Sequence, residues 1–236
     1  MRFEPPLQEA RLLRRYKRFL ADVEFPDGQR LTVHCPNTGA MLGCAEPGMR
    51  VWLSRAANPD RKYAWTWEQV EALPGVNVGI HTGRSNALVR EAIEAGLIRE
   101  LTGYPGLRGE VMAGEGFRVD FLLDGDPDRP DCYLEVKNVT AAVQDGIALF
   151  PDAVSERASR HLRELMDRVK AGQRAMLCFC VQRDDVREVR PADAIDPTYG
   201  RTLRQALATG VEVIAYVARV NPEEAQLYRR VPVIIP

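Results

Sequence analysis

Two patterns of hydrophobic and polar residues follow one another along the chain and divide it near residue 75. Before that point, short alternating stretches such as residues 30–35 are separated by turn signals such as Pro36-Asn37-Thr38-Gly39. Short, closely spaced strands with Gly/Pro turns between them favour a small β-barrel. Thr66 and Gln69 form a capping-box pattern, which predicts a short helix ending near Leu73. Residues 1–75 therefore predict an OB-type β-barrel domain closed by that helix.

The remainder of the chain, residues 76–236, shows longer elements. Apolar residues at helical spacing predict a helix that Ser85 and Asn86 cap and that runs to about residue 97, and a second helix over 153–171. Asp196-Pro197 and Gly210 mark the ends of a third. Strands are predicted near residues 107–113, 117–123, 132–139, 175–181 and 211–220. This order predicts a mixed sheet flanked by helices. The fold class is therefore α/β (α+β), in two domains.

Composition narrows the class of protein. The chain has 236 residues, of which 45% are hydrophobic and 28% charged, with a net charge of −1. It contains no window of 18 apolar residues and does not begin with an apolar leader, so we expect neither a membrane span nor a secretory signal. The five cysteines form no C-x-x-C pair, which favours reduced thiols over a metal or disulfide framework. We therefore expect a cytoplasmic protein.

The near-neutral net charge hides a basic cluster close to the N-terminus. Residues 1–65 contain 11 Lys and Arg residues against 7 Asp and Glu residues. Five of these cations fall within eight positions: Arg11, Arg14, Arg15, Lys17 and Arg18. Such a cluster is either a solvated face or a phosphate-binding stripe.

Charged residues on two predicted strands carry the chemistry. Phe117, Val119 and Phe121 are expected to share one face of the first strand, with Asp120 on the opposite face. Glu135 and Lys137 are expected to share one face of the next strand. Charges on central strands are costly unless they are paired or bind metal. The two carboxylates are suited to Mg²⁺, and Lys137 to orienting or activating a water beside a phosphate. The alternative is a salt bridge between Lys137 and the two acids.

This arrangement resembles the PD-(D/E)xK nuclease superfamily, and the whole chain resembles the sugar fermentation stimulation (SfsA) proteins of bacteria and archaea. The resemblance covers about nine-tenths of the chain. It lies in Pro5-Pro6-Leu7, Arg15-Tyr16-Lys17-Arg18-Phe19, Cys35-Pro36-Asn37-Thr38-Gly39, Arg61-Lys62-Tyr63, Asp131-Cys132-Tyr133-Leu134-Glu135-Val136-Lys137, Phe150-Pro151-Asp152-Ala153-Val154-Ser155-Glu156-Arg157 and His161-Leu162. Val119-Asp120 stands where the superfamily has Pro-Asp.

The resemblance implies an N-terminal OB-type barrel, a nuclease-like second domain, DNA binding, and a regulatory role in sugar (maltose) metabolism. It also implies that Asp120, Glu135 and Lys137 occupy the catalytic positions, with the two acids as metal ligands. A further glutamate often completes such a site, and either Glu91 or Glu110 could supply it.

Three functions follow as alternatives. The first is a DNA-binding protein whose barrel follows the backbone, largely without sequence specificity, through Arg14, Arg15, Lys17 and Arg18. The second is a Mg²⁺-dependent nuclease that uses Asp120, Glu135 and Lys137. The third is a protein-interaction regulator with an inactive site. His161, on the helix after the acidic strand, either faces the site or lies on the surface.

Overall fold

The N-terminal part of the chain is a closed five-stranded barrel with a sixth strand beside it. The computed structural model describes residues 1–114, 116–142 and 146–236. The six strands are β1 (Gln8–Tyr16), β2 (Leu20–Glu24), β3 (Arg30–His34), β4 (Arg50–Arg55), β5 (Trp65–Leu73) and β6 (Val76–Gly79). Their order is β3-β2-β1-β4-β5-β6, and a pairing of His34 with Thr66 joins β3 to β5 and closes the barrel. This is the OB-type topology that the sequence predicts.

The helix predicted from Thr66 to Leu73 is wrong, because this segment is β5. Its side chains include Trp67 and Val70, both fully buried in the barrel core, and aromatic and β-branched residues favour strands. Burial of these side chains outweighs a local capping signal. Val76–Gly79 was expected to open the second domain, but it pairs with β5. We therefore propose that the first domain extends to Gly79.

The second half is a mixed six-stranded sheet between helices, as predicted. Its elements are α1 (Arg84–Glu94), β7 (Gly106–Gly114), β8 (Phe117–Asp124), β9 (Cys132–Val139), β10 (Ile147–Phe150), α2 (Glu156–Lys170), β11 (Arg174–Val181), β12 (Glu188–Pro191), α3 (Pro197–Thr209), β13 (Glu212–Val220) and β14 (Ala225–Val231). The sheet order is β14-β13-β11-β9-β8-β7, with β9, β11 and β13 parallel. A separate parallel pair joins β10 to β12. Strands β10, β12 and β14 are not among those predicted from the sequence.

Two cores cover the two faces of this sheet. Leu88 and Val89 of α1 belong to one buried cluster, and Leu162 of α2 and Leu203 of α3 belong to the other. All five cysteines are described and buried, and none forms a disulfide. Among the described residues, no helix is long and apolar enough to span a bilayer.

The barrel and the second domain share packed and polar contacts. Phe3, Leu7 and Trp52 lie in the α1-side core of the second domain. On another side, the Met41 amide donates to the Asp152 carboxylate across 2.9 Å. The two domains therefore contact each other at more than one place, and a cavity between them has walls from both.

A buried ion pair also joins the domains. Glu68 of β5 has a side chain only 1% exposed and accepts from Arg84 Nη2, at the start of α1, at 2.8 Å and from Ser54 Oγ at 2.6 Å. Burial raises the pKa of Glu68, but the hydrogen bond from Arg84 and the nearby positive charge outweigh burial, so this pKa lies below its ordinary value.

Glu68→Gln is therefore expected to lower stability by about 2 kcal/mol at pH 7, because it weakens a charge-assisted pair. A lowered pKa adds stability that is full above the ordinary glutamate pKa of about 4.3 and is lost as pH falls through the folded-state value. Urea unfolding of wild type and variant at pH 7 and at low pH should thus show a difference that shrinks in acid. A difference independent of pH would contradict this role for Glu68.

Candidate functional site

Asp120 lies where strand β8 separates from β9. The β8–β9 ladder ends at the pair Phe121 and Leu134, and the Asp120 carboxylate takes over the next backbone amide, accepting from Val136 N at 2.7 Å. Its other oxygen accepts from Asn86 Nδ2 of α1 at 2.8 Å. One backbone donor and one side-chain donor thus fix the Asp120 carboxylate where the β8–β9 pairing ends.

This irregularity corrects the predicted faces of β8. Phe117, Val119 and Phe121 were expected to share one face, but Phe117 and Val119 lie in the core under α2 and α3, whereas Phe121 lies in the core under α1. Opposite Asp120, Glu110 of β7 has a left-handed φ of 53°. The regular alternation therefore breaks at Asp120, which a period-two pattern does not reveal.

Glu135 is the buried carboxylate of the site. It is 3% exposed, and its Oε1 atom accepts from Lys137 Nζ at 2.5 Å and from His161 Nδ1. Its second oxygen, Oε2, is buried without any hydrogen-bond partner. Unpartnered buried carboxylate oxygens are costly, so this atom is free to accept a further ligand.

His161 is the buried residue that holds Glu135 in place. Arg157 Nε donates to His161 Nε2 at 3.3 Å, which leaves the proton on Nδ1 to be donated to Glu135. The Phe117 ring packs edge-on against the imidazole with 5.3 Å between ring centroids. Of the two positions considered for His161, the structure gives the one that faces the site.

The two carboxyls have opposite pKa shifts. Burial and the charge of Glu135 raise the pKa of Asp120. Burial also acts to raise the pKa of Glu135, but the hydrogen bond from His161 and the charge of Lys137 outweigh it and lower that pKa. Glu135 is thus held as the anion. A cation bound beside both carboxyl groups would lower the pKa of Asp120 and so favour its anion as well.

Asp120 and Glu135 fit a divalent cation that takes only a few of its ligands from the protein. Within the described ranges, no three His, Cys, Asp or Glu side chains form a metal-binding group by themselves. Two neighbouring carboxylates, one with a buried oxygen that lacks a partner, suit an ion such as Mg²⁺ that keeps several waters. The salt bridge between Lys137 and Glu135 is present as well, but it does not include Asp120, and it leaves Glu135 Oε2 without a partner.

Neither glutamate considered for completing the site lies there. Glu91 binds the N-terminal amine at 2.6 Å, and Glu110 pairs with Arg118 at 3.2 Å on the exposed edge of the sheet. The α1 side chain that reaches Asp120 is Asn86, for which the sequence predicts only a helix cap. The helix instead begins after Gly83, without a side-chain cap.

A cavity of about 490 Å³ opens over these residues between the two domains. The second domain contributes Asp120, Glu135, Lys137 and Arg157 to its walls, and the barrel contributes Arg18 and residues 37–39. Gly39 lies against Asp152, where a Cβ atom would come within 2.6 Å of the carboxylate oxygens. The turn at 36–39 therefore packs tightly against the second domain and forms one wall of the cavity.

The predicted basic cluster divides into residues with different roles. Arg14 is exposed and paired with Asp22 at 2.7 Å. Arg15 Nη2 lies 2.8–2.9 Å from the carbonyl oxygens of Arg18, Asn37 and Gly39. Lys17 and Arg18 form the exposed β1–β2 turn, with φ values of 49° and 64°. Only Arg18 of the four proposed binding residues lines the cavity.

An OB barrel joined to an endonuclease-like sheet, with Asp, Glu and Lys on adjacent strands, defines a two-domain class of protein. Residues 13–80 match the SfsA N-terminal OB domain, and residues 83–224 match the sugar fermentation stimulation protein RE domain. The chain belongs to the SfsA family.

Relatives match over essentially the full length. A sugar fermentation stimulation protein homolog of Alkalilimnicola ehrlichii is 58% identical and covers 100% of both chains, and that of Thioalkalivibrio sulfidiphilus is 62% identical over 97% of this chain and 96% of its own. The solved structure of Pyrococcus furiosus SfsA in complex with Ca²⁺ matches with a TM-score of 0.89 and 26% identity, covering 100% of this chain and 98% of that one.

Proposed function

We propose that this protein binds DNA across the interdomain cavity, largely without reading sequence. The observation that supports this most directly is the composition of the cavity wall, which combines Arg18 of the barrel with Asp120, Glu135 and Lys137 of the endonuclease-like domain. OB barrels commonly bind nucleic acid in a charged groove, and a strand held against this barrel edge would pass over the carboxylates.

Binding at the barrel edge would be electrostatic. Lys17 and Arg18 are exposed on one turn, and the Arg18 guanidinium holds the Thr38 carbonyl at 2.8 Å while it borders the cavity. Arg14 is committed to Asp22 and contributes less. Phosphate contacts of this kind release counterions, so DNA affinity should fall steeply with salt.

The double variant Lys17→Ala/Arg18→Ala is expected to weaken DNA binding and to flatten its salt dependence. Each lost phosphate contact removes about one unit from the slope of log affinity against log salt concentration. Fluorescence anisotropy at several salt concentrations in EDTA measures this slope. Arg14→Ala is the matched control and should change it less. An unchanged slope in the double variant would move the binding surface away from this turn.

A second candidate function, Mg²⁺-dependent cleavage of phosphodiester bonds, is favoured by the free Oε2 atom of Glu135 beside Asp120. These two carboxylates would hold the ion. The bound ion would neutralise charge on the phosphate and acidify a water. Lys137 would orient the attacking water and the phosphate, and His161 would keep Glu135 Oε1 occupied so that Oε2 faces the ion. The test is incubation of single- and double-stranded DNA and RNA with Mg²⁺, Mn²⁺ or EDTA.

A role in sugar metabolism, including maltose regulation, would act through the same DNA binding. The description shared by the family and the relatives, sugar fermentation stimulation, supports the role in sugar metabolism, and the maltose part follows from the family resemblance. Comparison of transcript levels with and without the gene, during growth on maltose, tests it. Unchanged maltose transcripts would separate the DNA-binding proposal from the regulatory one.

A further inference from the structure

A second cavity, of about 620 Å³, lies beside the first on α2. Val154 and Arg157 line both cavities. The second cavity is therefore the immediate neighbour of the carboxylate site, separated from it by the start of α2. A chain that leaves the first cavity along this side would enter the second.

Three arginines face this second cavity from successive turns of α2. They are Arg157, Arg160 and Arg163. Arg160 and Arg163 are exposed, and in the part of the chain that the structure describes neither side chain makes an ion pair or hydrogen bond. On the same helix, Asp167 pairs with Lys170 at 2.9 Å, and Glu156 lines the cavity. Two guanidinium groups are therefore available to a ligand.

The ends of two helices add positive potential at the same place. Helix α2 begins after Ser155, and α3 begins after Asp196, which also lines the cavity. The Asp196 carboxylate is buried and accepts from the amides of Ser155 and Tyr199, each at 2.9 Å. Its charge is thus used to cap the helices, and the remaining carboxylate at the cavity is that of exposed Glu156. Helix N-termini favour anions.

Ser159 gives the second, independent sign of a ligand. This residue is 2% exposed, lines the cavity, and its hydroxyl has no hydrogen-bond partner in the structure. Buried hydroxyls are rarely left unpaired. A phosphate oxygen in the cavity would accept from this hydroxyl while Arg160 and Arg163 bind the remaining oxygens.

We propose that this cavity is a second phosphate subsite, which binds a backbone phosphate of the strand whose neighbouring segment lies at Asp120 and Glu135. The proposal deepens the proposed function and rests on it for the identity of the ligand as DNA. The subsite would place the strand along α2, so DNA affinity would depend on this helix as well as on the barrel edge.

Inorganic phosphate and DNA, used as separate probes, test the subsite and the DNA proposal apart. The variant Arg160→Ala/Arg163→Ala removes the free cations, and Ser159→Ala removes the hydroxyl. The control Arg55→Ala/Arg99→Ala removes two exposed arginines that line neither cavity. Thermal unfolding verifies that each variant folds, and Mn²⁺ titration verifies that the carboxylate centre is unchanged.

The cation variant is expected to bind a labelled oligonucleotide about tenfold more weakly and with a salt slope shallower by about two units, whereas the control matches wild type. Ser159→Ala should weaken inorganic phosphate binding severalfold, measured by calorimetry. If the cation variant binds DNA like the control, the subsite is overturned while DNA binding stands. If wild type binds phosphate through these residues but no DNA, the subsite stands and the proposed function falls.

Discussion

Asp120→Asn is expected to abolish Mg²⁺-dependent cleavage of DNA while leaving metal-free DNA binding intact or slightly tighter. The amide keeps the shape of the side chain, but its single oxygen can accept from only one of the two present donors, Val136 N and Asn86 Nδ2. It is a poorer ligand for a hard cation and removes one of two neighbouring negative charges that repel a phosphate when no metal is present. Loss of several kcal/mol of transition-state stabilisation corresponds to a rate at least about 10³-fold lower.

Lys137→Ala separates metal binding from turnover. Its ammonium lies 2.5 Å from Glu135 Oε1, so its removal leaves the carboxylates free to hold the ion but takes away the cation next to the phosphate. We expect Mn²⁺ binding to persist and cleavage to be lost. Glu110→Gln is the matched control, because Glu110 is exposed and paired with Arg118 away from the cavity. Cleavage that survives Asp120→Asn at the wild-type rate would show that another site supplies it.

Arg15→Ala is expected to lower stability by about 3 kcal/mol, because Arg15 Nη2 lies 2.8–2.9 Å from three carbonyl oxygens that would lose a charged donor. These carbonyls belong to the β1–β2 turn and to residues 37–39, which form the barrel wall of the cavity. The substitution should therefore loosen that wall and weaken DNA binding indirectly.

Lys17→Ala is the control for this prediction. Lys17 is two residues away and exposed, so its loss should change stability by less than about 0.5 kcal/mol. Urea unfolding of both variants measures the difference. If Arg15→Ala unfolds like wild type but binds DNA more weakly, then Arg15 is a direct phosphate contact, as the sequence cluster suggested, and its structural role is wrong.

The sequence predicted the strands of the site well because their signals are local. Alternation over 117–123 and 132–139 predicted β8 and β9, and Asp120, Glu135 and Lys137 lie together as charged residues on adjacent strands. The break in alternation at Asp120 depends on where the β8–β9 ladder ends, which is a property of pairing between strands.

Residues brought in from distant segments were harder to predict. Asn86 reaches Asp120 across 34 positions of sequence, and Arg15 reaches Gly39 across 24. Asn86 also fits a helix cap, and Arg15 also fits a phosphate contact. The sequence pattern alone therefore does not show which partner each side chain has in the fold. The segment at 66–73 was misassigned for a related reason, since burial of Trp67 in the barrel outweighs its capping signal.

Calorimetric titration of Mn²⁺ and Mg²⁺ into the purified protein, with and without DNA, tests the central claim most directly. If Asp120 and Glu135 form a divalent-cation site, wild type binds the ion, Asp120→Asn and Glu135→Gln lose it, and Glu110→Gln keeps it. If wild type binds neither ion under either condition, the nuclease proposal is wrong. Glu135 then serves only its salt bridge with Lys137, and Asp120 only its hydrogen bonds from Val136 N and Asn86 Nδ2.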